Sequence, residues 1–245
     1  MANWNDPQPR QGFGASPIDG RTAGKVGYDQ GLRKHMLSIY NTMASGVLLT
    51  GIVAMLFASS GLAVQVLSTP LRWVLMLAPL GFVMAMSFGL NRMKTSTLQM
   101  LYWGFAVVMG LSLSSIFLVY TGSSIATTFF ATAAAFAGLS LFGYTTKKDL
   151  SAFGTFLIMG LVGILVAMLV NIFLQSTVLQ LAVSVLGVLI FAGLTAYDTQ
   201  MLKHQYAQVR GTEFAGKAVI MGALNLYLDF INMFLFLLRF MGSRD

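Results

Sequence analysis

Hydrophobic and polar positions fall in long blocks along this chain. Seven apolar runs occupy residues 37–58, 71–90, 98–120, 125–143, 153–174, 178–200 and 218–239. Each is close to the roughly 20 residues that a helix needs to cross a bilayer. The gaps between them are short and polar, several with Gly, Ser or Thr. Backbone groups in lipid must be satisfied within the segment or in a closed barrel, and these runs are too long and too unalternating for barrel strands. The pattern predicts an all-α membrane protein of seven transmembrane helices. The fourth run, "IATTFFATAAAFAGLSLFG", is the least apolar and rich in Ala, Thr and Gly. Small residues let backbones approach, which predicts packing inside the bundle. The same run would be the re-entrant segment if the number of spans were even.

Composition agrees with the pattern. Hydrophobic residues make up 56% and charged residues 9% of the 245, with mean hydropathy +0.75. Soluble domains carry about 25% charged residues, so water is not the main solvent of this chain. Residues 1–35 differ from the rest, with Pro7, Pro9, Pro17, several Gly and mixed charges. They are expected to form a loosely held tail ahead of a transmembrane domain over 36–245. No signal-peptide pattern opens the chain.

The net charge of +7 does not form one basic face, which excludes a nucleic-acid surface. It sorts by side instead. With the N-terminus inside, 12 of the 15 Lys and Arg lie in inner segments and 3, Arg72, Arg239 and Arg244, lie outside. This bias predicts a cytoplasmic N-terminus and an external C-terminus.

Several chemistries are missing. There is no Cys, and the two His, His35 and His204, sit at membrane edges, so an intramembrane Ser–His hydrolase is not expected. No HExxH helix or Gly-Lys-Ser/Thr phosphate loop is present. All seven Lys lie outside the apolar runs, which removes a retinal Schiff base. The chain is expected not to be an enzyme and to need no cofactor.

The informative residues are two acids. Asp229 sits in "LNLYLDFINMFLFLLRF", 12 residues from Lys217 and 10 from Arg239. At about 1.5 Å per residue that is near mid-membrane, where a charge costs roughly 2.5–3.5 kcal/mol on insertion scales. Asn225 and Asn232 share its helix face, so the stripe is expected to face the bundle centre or water rather than lipid. Asp198, in "LTAYDTQMLKH", lies near the inner end of the sixth run, on a small and polar face with Ser184, Gly187 and Thr195. If the two helices are neighbours, the two carboxylates meet. Both cannot cheaply ionise in a low-dielectric site, so the pair would share a proton and respond to pH. The residues alone leave a second reading open, in which the acids merely fix packing.

At these segments the chain resembles a known family. "GVLIFAGLTAYDTQMLKH" at 187–204 and "ALNLYLDFINMFLFLLRF" at 223–240 are similar to the last two helices of the Bax-inhibitor family, the transmembrane Bax-inhibitor-motif proteins. "GLSLSSIFLVYTG" at 110–122 and "LSLFGYTTKKDLS" at 139–151 resemble its bacterial, YccA-like branch. The resemblance spans roughly 37–240. It implies seven helices with the last enclosed by the other six, in a bacterial inner membrane. It also implies a pH-sensitive calcium leak gated by an aspartate pair at Asp198 and Asp229. A basic latch at the inner end of the second helix maps to Arg92, with Lys94 as the alternative. Some relatives carry a further acid in the second helix; this chain has none between Arg72 and Arg92.

The residues and the resemblance leave two functions open. One is a slow, proton-regulated leak for calcium, with Asp198 and Asp229 as gate and weak ion site and with Asn225, Asn232 and Thr195 as supporting polar groups. Calcium takes six to eight oxygens, so two aspartates with amides and water hold it weakly, which suits passage. The other is a non-conducting interaction protein that modulates a membrane-anchored ATP-dependent protease through its tail. That association belongs to the YccA-like relatives and enters through the resemblance.

Overall fold

The computed structural model describes residues 20–243, with side chains from residue 28 onward. The described chain is helical: α1 (Gly20–Ser59), α2 (Leu62–Leu67), α3 (Leu71–Gly89), α4 (Thr95–Leu113), α5 (Ile116–Val119), α6 (Gly122–Thr145), α7 (Ser151–Leu174), α8 (Thr177–Val209) and α9 (Phe214–Met241). Seven of these stretches are long and apolar enough to cross a membrane, α4 and α5 together forming the third over Thr95–Val119. The fourth run forms α6, one continuous helix of membrane-spanning length rather than a re-entrant segment.

The helices end where local chemistry stops them. Thr121 caps α6 by accepting from the Ser124 amide, and Ser176 caps α8 by accepting from Leu179. Gln175 closes α7 in a left-handed conformation, and Asn171 Oδ1 takes the Ser176 amide at 2.9 Å. Together they turn the chain back within two residues.

The last helix is the core. In α9, 67% of the spanning window is buried, against 11–33% in the other six. It is enclosed by the other helices, most closely by α8, α1 and α6. α3 packs mainly on α4 and α7 on α8, so both lie at the periphery. The close packing expected of the fourth run is present: Thr128, Thr132, Phe136, Ser140 and Gly143 form a buried stripe. Gly143 lies so close to α8 that any Cβ there would fall on the Ala196 carbonyl oxygen.

The expected tail needs a correction at its C-terminal boundary. α1 begins at Gly20, and Leu32 and His35 are already buried. Leu32, Met36, Ile39 and Met43 recur at helical spacing and give the helix an apolar stripe that continues past the membrane-length run. The expectation for residues 1–19 lies outside the described residues.

Contacts sort the loops onto two sides. At one end Lys217 Nζ donates to the Leu90 carbonyl at 2.9 Å and Lys203 Nζ to the Tyr144 carbonyl at 2.8 Å. Gln200 bridges to the 146–150 loop, accepting from the Leu150 amide and donating to the Lys148 carbonyl. At the other end Ser243 accepts from the Thr121 amide and donates to Ser124 Oγ. The first end carries Arg92, Lys147, Lys148 and Lys203 and is called the basic end below.

Candidate functional site

α8 and α9 pack along their length, because the small face of α8 admits the aromatic face of α9. The Phe236 ring lies over Gly187, within 2.6–2.7 Å of where a Cβ would stand, and Phe191 stacks on Phe236 with ring centroids 5.8 Å apart. This apposition brings Asp198 and Asp229 together. Their carboxyl groups are close enough to act on each other. Asp198 is half-buried; Asp229 is only 4% exposed. Asp229 Oδ2 is buried with no hydrogen-bond partner, and neither acid is ion-paired with a Lys or Arg among the described residues.

The supporting residues divide. Thr195 is fully buried, but its hydroxyl donates to the Phe191 carbonyl of its own helix. Asn232 is half-buried, and its amide donates to Leu228 in the same way. Asn225 is exposed. The face of Asn225, Asp229 and Asn232, expected to turn to the bundle centre or to water, is not uniform. It passes from an exposed amide through a buried acid to a half-buried amide.

Beyond Asn232, a cavity of about 100 Å³ lined by Ile164, Phe191, Asn232, Phe236 and Arg239 leads on. It meets a second of about 350 Å³ bounded by Asn171, Gln180 and Arg239. Arg92 is not part of this constellation. It is exposed on the turn between α3 and α4, and its side chain makes no hydrogen bond or ion pair among the described residues. Lys94 is exposed on the same turn.

Two hydroxyl chains, not evident in the sequence, start one or two residues along the helices from the acids. Tyr40 hydroxyl bonds Ser140 Oγ, which bonds Thr199 Oγ1 at 2.8 Å, one residue from Asp198. Tyr227, two residues before Asp229, is fully buried; its hydroxyl meets Thr50 Oγ1 at 2.7 Å, and Thr50 also donates to the Ala106 carbonyl. The signal available was a buried Tyr or Thr within two residues of each acid, since a buried hydroxyl needs a partner. Among the described residues no three His, Cys, Asp or Glu side chains come together, so the carboxylate pair is the whole acidic complement of the site.

The family model described as inhibitor of apoptosis-promoting Bax1 matches residues 32–245. An uncharacterized protein of Caulobacter vibrioides is 48% identical over 228 residues, 88% of this chain and 90% of that one. The inner membrane protein YbhL of Escherichia coli is 46% identical over 218 residues, 87% of this chain and 93% of its own length. An uncharacterized protein of Deinococcus radiodurans is 45% identical over 215 residues, 87% and 92% of the two chains.

Proposed function

The chain belongs to the Bax-inhibitor family, and on that premise we propose that it is a slow, proton-regulated cation leak with calcium as the passing ion. The observation that carries the reading is the meeting of Asp198 and Asp229 between α8 and α9, with one buried carboxylate oxygen left unpartnered. Two carboxyls in one low-dielectric site hold a single proton between them at moderate pH. A divalent cation is the other species that relieves their repulsion. The pair therefore exchanges a proton for a weakly held ion, with Asn225 on one side and Asn232 on the other as further oxygen ligands.

The basic end faces the cytoplasm in this reading, following the bias of Lys and Arg. The membrane is the inner membrane, as the name of the Escherichia coli relative suggests. No bond-making chemistry and no resident cofactor are assigned. Arg92 serves as a latch in a second state, in which the inner end of α8 approaches the turn after α3 and brings Asp198 to it. The described arrangement, with the acids on each other and Arg92 exposed, is then the unlatched one. Lowering pH protonates the pair, removes the charge that Arg92 would hold, and favours this arrangement.

The test is calcium-indicator flux in proteoliposomes of the pure protein across a pH series. Flux should rise on mild acidification. Asp198→Asn should flatten that response, Asp229→Asn should also lower flux several-fold, and Arg92→Ala should raise flux at neutral pH. Identical profiles for wild type and all three variants would make the acids packing groups, and the protease-modulating reading would take over. Orientation is checked separately by a C-terminal reporter, expected to work only outside the cytoplasm; activity inside overturns that part.

A further inference from the structure

α1 and α6 stand apart along much of their length, joined where the Tyr40 hydroxyl bonds Ser140 Oγ. Three apolar cavities of about 470, 280 and 310 Å³ lie end to end between them, the second and third floored by α9. The first two share Tyr40 and Phe136; the second and third share Val47, Phe129 and Phe230. Phe129, edge-on to Phe230 and Phe234, lies across the floor at the junction. From Arg33 to Val47 is 14 residues of α1, about 21 Å at the helical rise. That is the depth of one leaflet with its headgroup region.

The two ends of this half-groove differ chemically. Arg33 and Tyr144 line the mouth at the basic end. Lys34, Lys147 and Lys148 are exposed within a few residues of them, and the Lys203 ammonium sits over the Tyr144 ring at 5.3 Å. No acid lines the groove. Asp29, one turn before Arg33, is exposed and makes no ion pair with it. Deeper in, the lining is Met, Leu, Ala and Phe, and Tyr40 and Ser140 spend their hydroxyls on each other. Such a slot accepts an extended hydrocarbon chain carrying one anionic head.

We infer that the groove between α1 and α6 binds one anionic phospholipid from the leaflet at the basic end, its phosphate at Arg33 and an acyl chain along Met36, Tyr40, Ala137 and Phe136. A basic pocket between spanning helices is the pattern by which membrane proteins hold anionic lipid heads. The groove is not bulk-lipid surface: Met36, Phe136 and Ser140, which line its first cavity, are buried to 3%, 7% and 4% exposure, and Phe230, which floors the two deeper ones, to 4%. A transmembrane helix of another protein would fill the slot without needing Arg33. The site stands apart from the leak reading and does not require it.

The test is native mass spectrometry of the detergent-purified full chain, titrated with phosphatidylglycerol and phosphatidylcholine of identical acyl chains. One phosphatidylglycerol should bind with about fivefold preference, the worth of one basic side chain at a membrane surface. Arg33→Glu should abolish the preference. Ala137→Phe, which fills the slot from an exposed position, should abolish retention of either lipid while the melting temperature holds. Arg72→Glu, at the other end, should change nothing. Equal retention of both lipids, an unchanged preference in Arg33→Glu, or a second copy of the chain bound in place of lipid would overturn the inference. So would equal loss from Arg72→Glu.

Discussion

α7 and α9 are both membrane-length helices, yet they invert the rule that burial follows hydropathy. The spanning window of α7 has mean hydropathy 2.7 and is 11% buried; that of α9 has 1.7 and is 67% buried. In water the more apolar helix would lie inside. In lipid the tails are as apolar as Leu, so transfer from tail to protein interior gives little drive. Packing and polar satisfaction decide instead which helix is central. α7 carries no charged residue from Ser151 to Leu174 and can face lipid all round. α9 carries Asn225, Asp229 and Asn232 and cannot.

The sharpest way to break that contrast is to give α7 what α9 has. Val162, half-way along α7 and 56% exposed, becomes Asp with no partner. Val162→Asp should cost roughly 2.5–3.5 kcal/mol of insertion free energy and sharply reduce membrane-inserted yield. Wild-type yield would mean that α7 is not lipid-facing.

A smaller effect separates the two helices by space rather than charge. A Cβ on Gly222 of α9 would lie 2.8 Å from Leu202 Cδ2 and 3.1 Å from Ile39 Cδ1, whereas one on Gly163 of α7 meets nothing within 4 Å. Gly222→Leu should lose about 1–3 kcal/mol to overpacking. Gly163→Leu should be neutral or gain up to about 1 kcal/mol from helix propensity. Unfolding of the two variants in mixed micelles reads the difference, and equal shifts would deny it.

The smallest effect concerns how each helix begins. α9 starts with Lys217 tied to the α3–α4 turn. α7 starts with Asp149 Oδ1 accepting the Ser151 amide at 2.9 Å. The Ser151 side chain and amide hold the Asp149 carboxyl below its ordinary value of 3.8, with His204 assisting. A depressed carboxyl stabilises fully above the ordinary value and loses that contribution as pH falls through its own lower one. The Ser151 amide should therefore lose protection from exchange at strongly acidic pH. Asp149→Asn should show no such dependence, and the same profile in both would assign the loss elsewhere.

The seven spans were legible because hydropathy and length are local properties, and Asp229 was legible because a carboxylate in an apolar run is costly. The pairing with Asp198 was legible from two helix faces and the family resemblance. For Asn225 the sequence left bundle centre and water open, since periodicity gives a face but not whether a neighbour covers it, and its side chain is exposed. The tail boundary failed for a related reason. Leu32 and His35 pack on other helices beyond the membrane-length run, where hydropathy alone sees polar residues. The Tyr40–Ser140–Thr199 chain joins residues far apart in sequence, and helical hydroxyls usually bond their own turn, as Thr132 and Thr195 do.

One feature of α9 bears on how such a site could move. Lys217 holds its start to Leu90, and Ser243, just past its end, holds to Thr121 and Ser124. A rod fastened at both ends cannot work as a piston. α9 is the stator of the assembly. A change in the distance between Asp198 and Asp229 must come from the surrounding helices turning or tilting about a fixed axle.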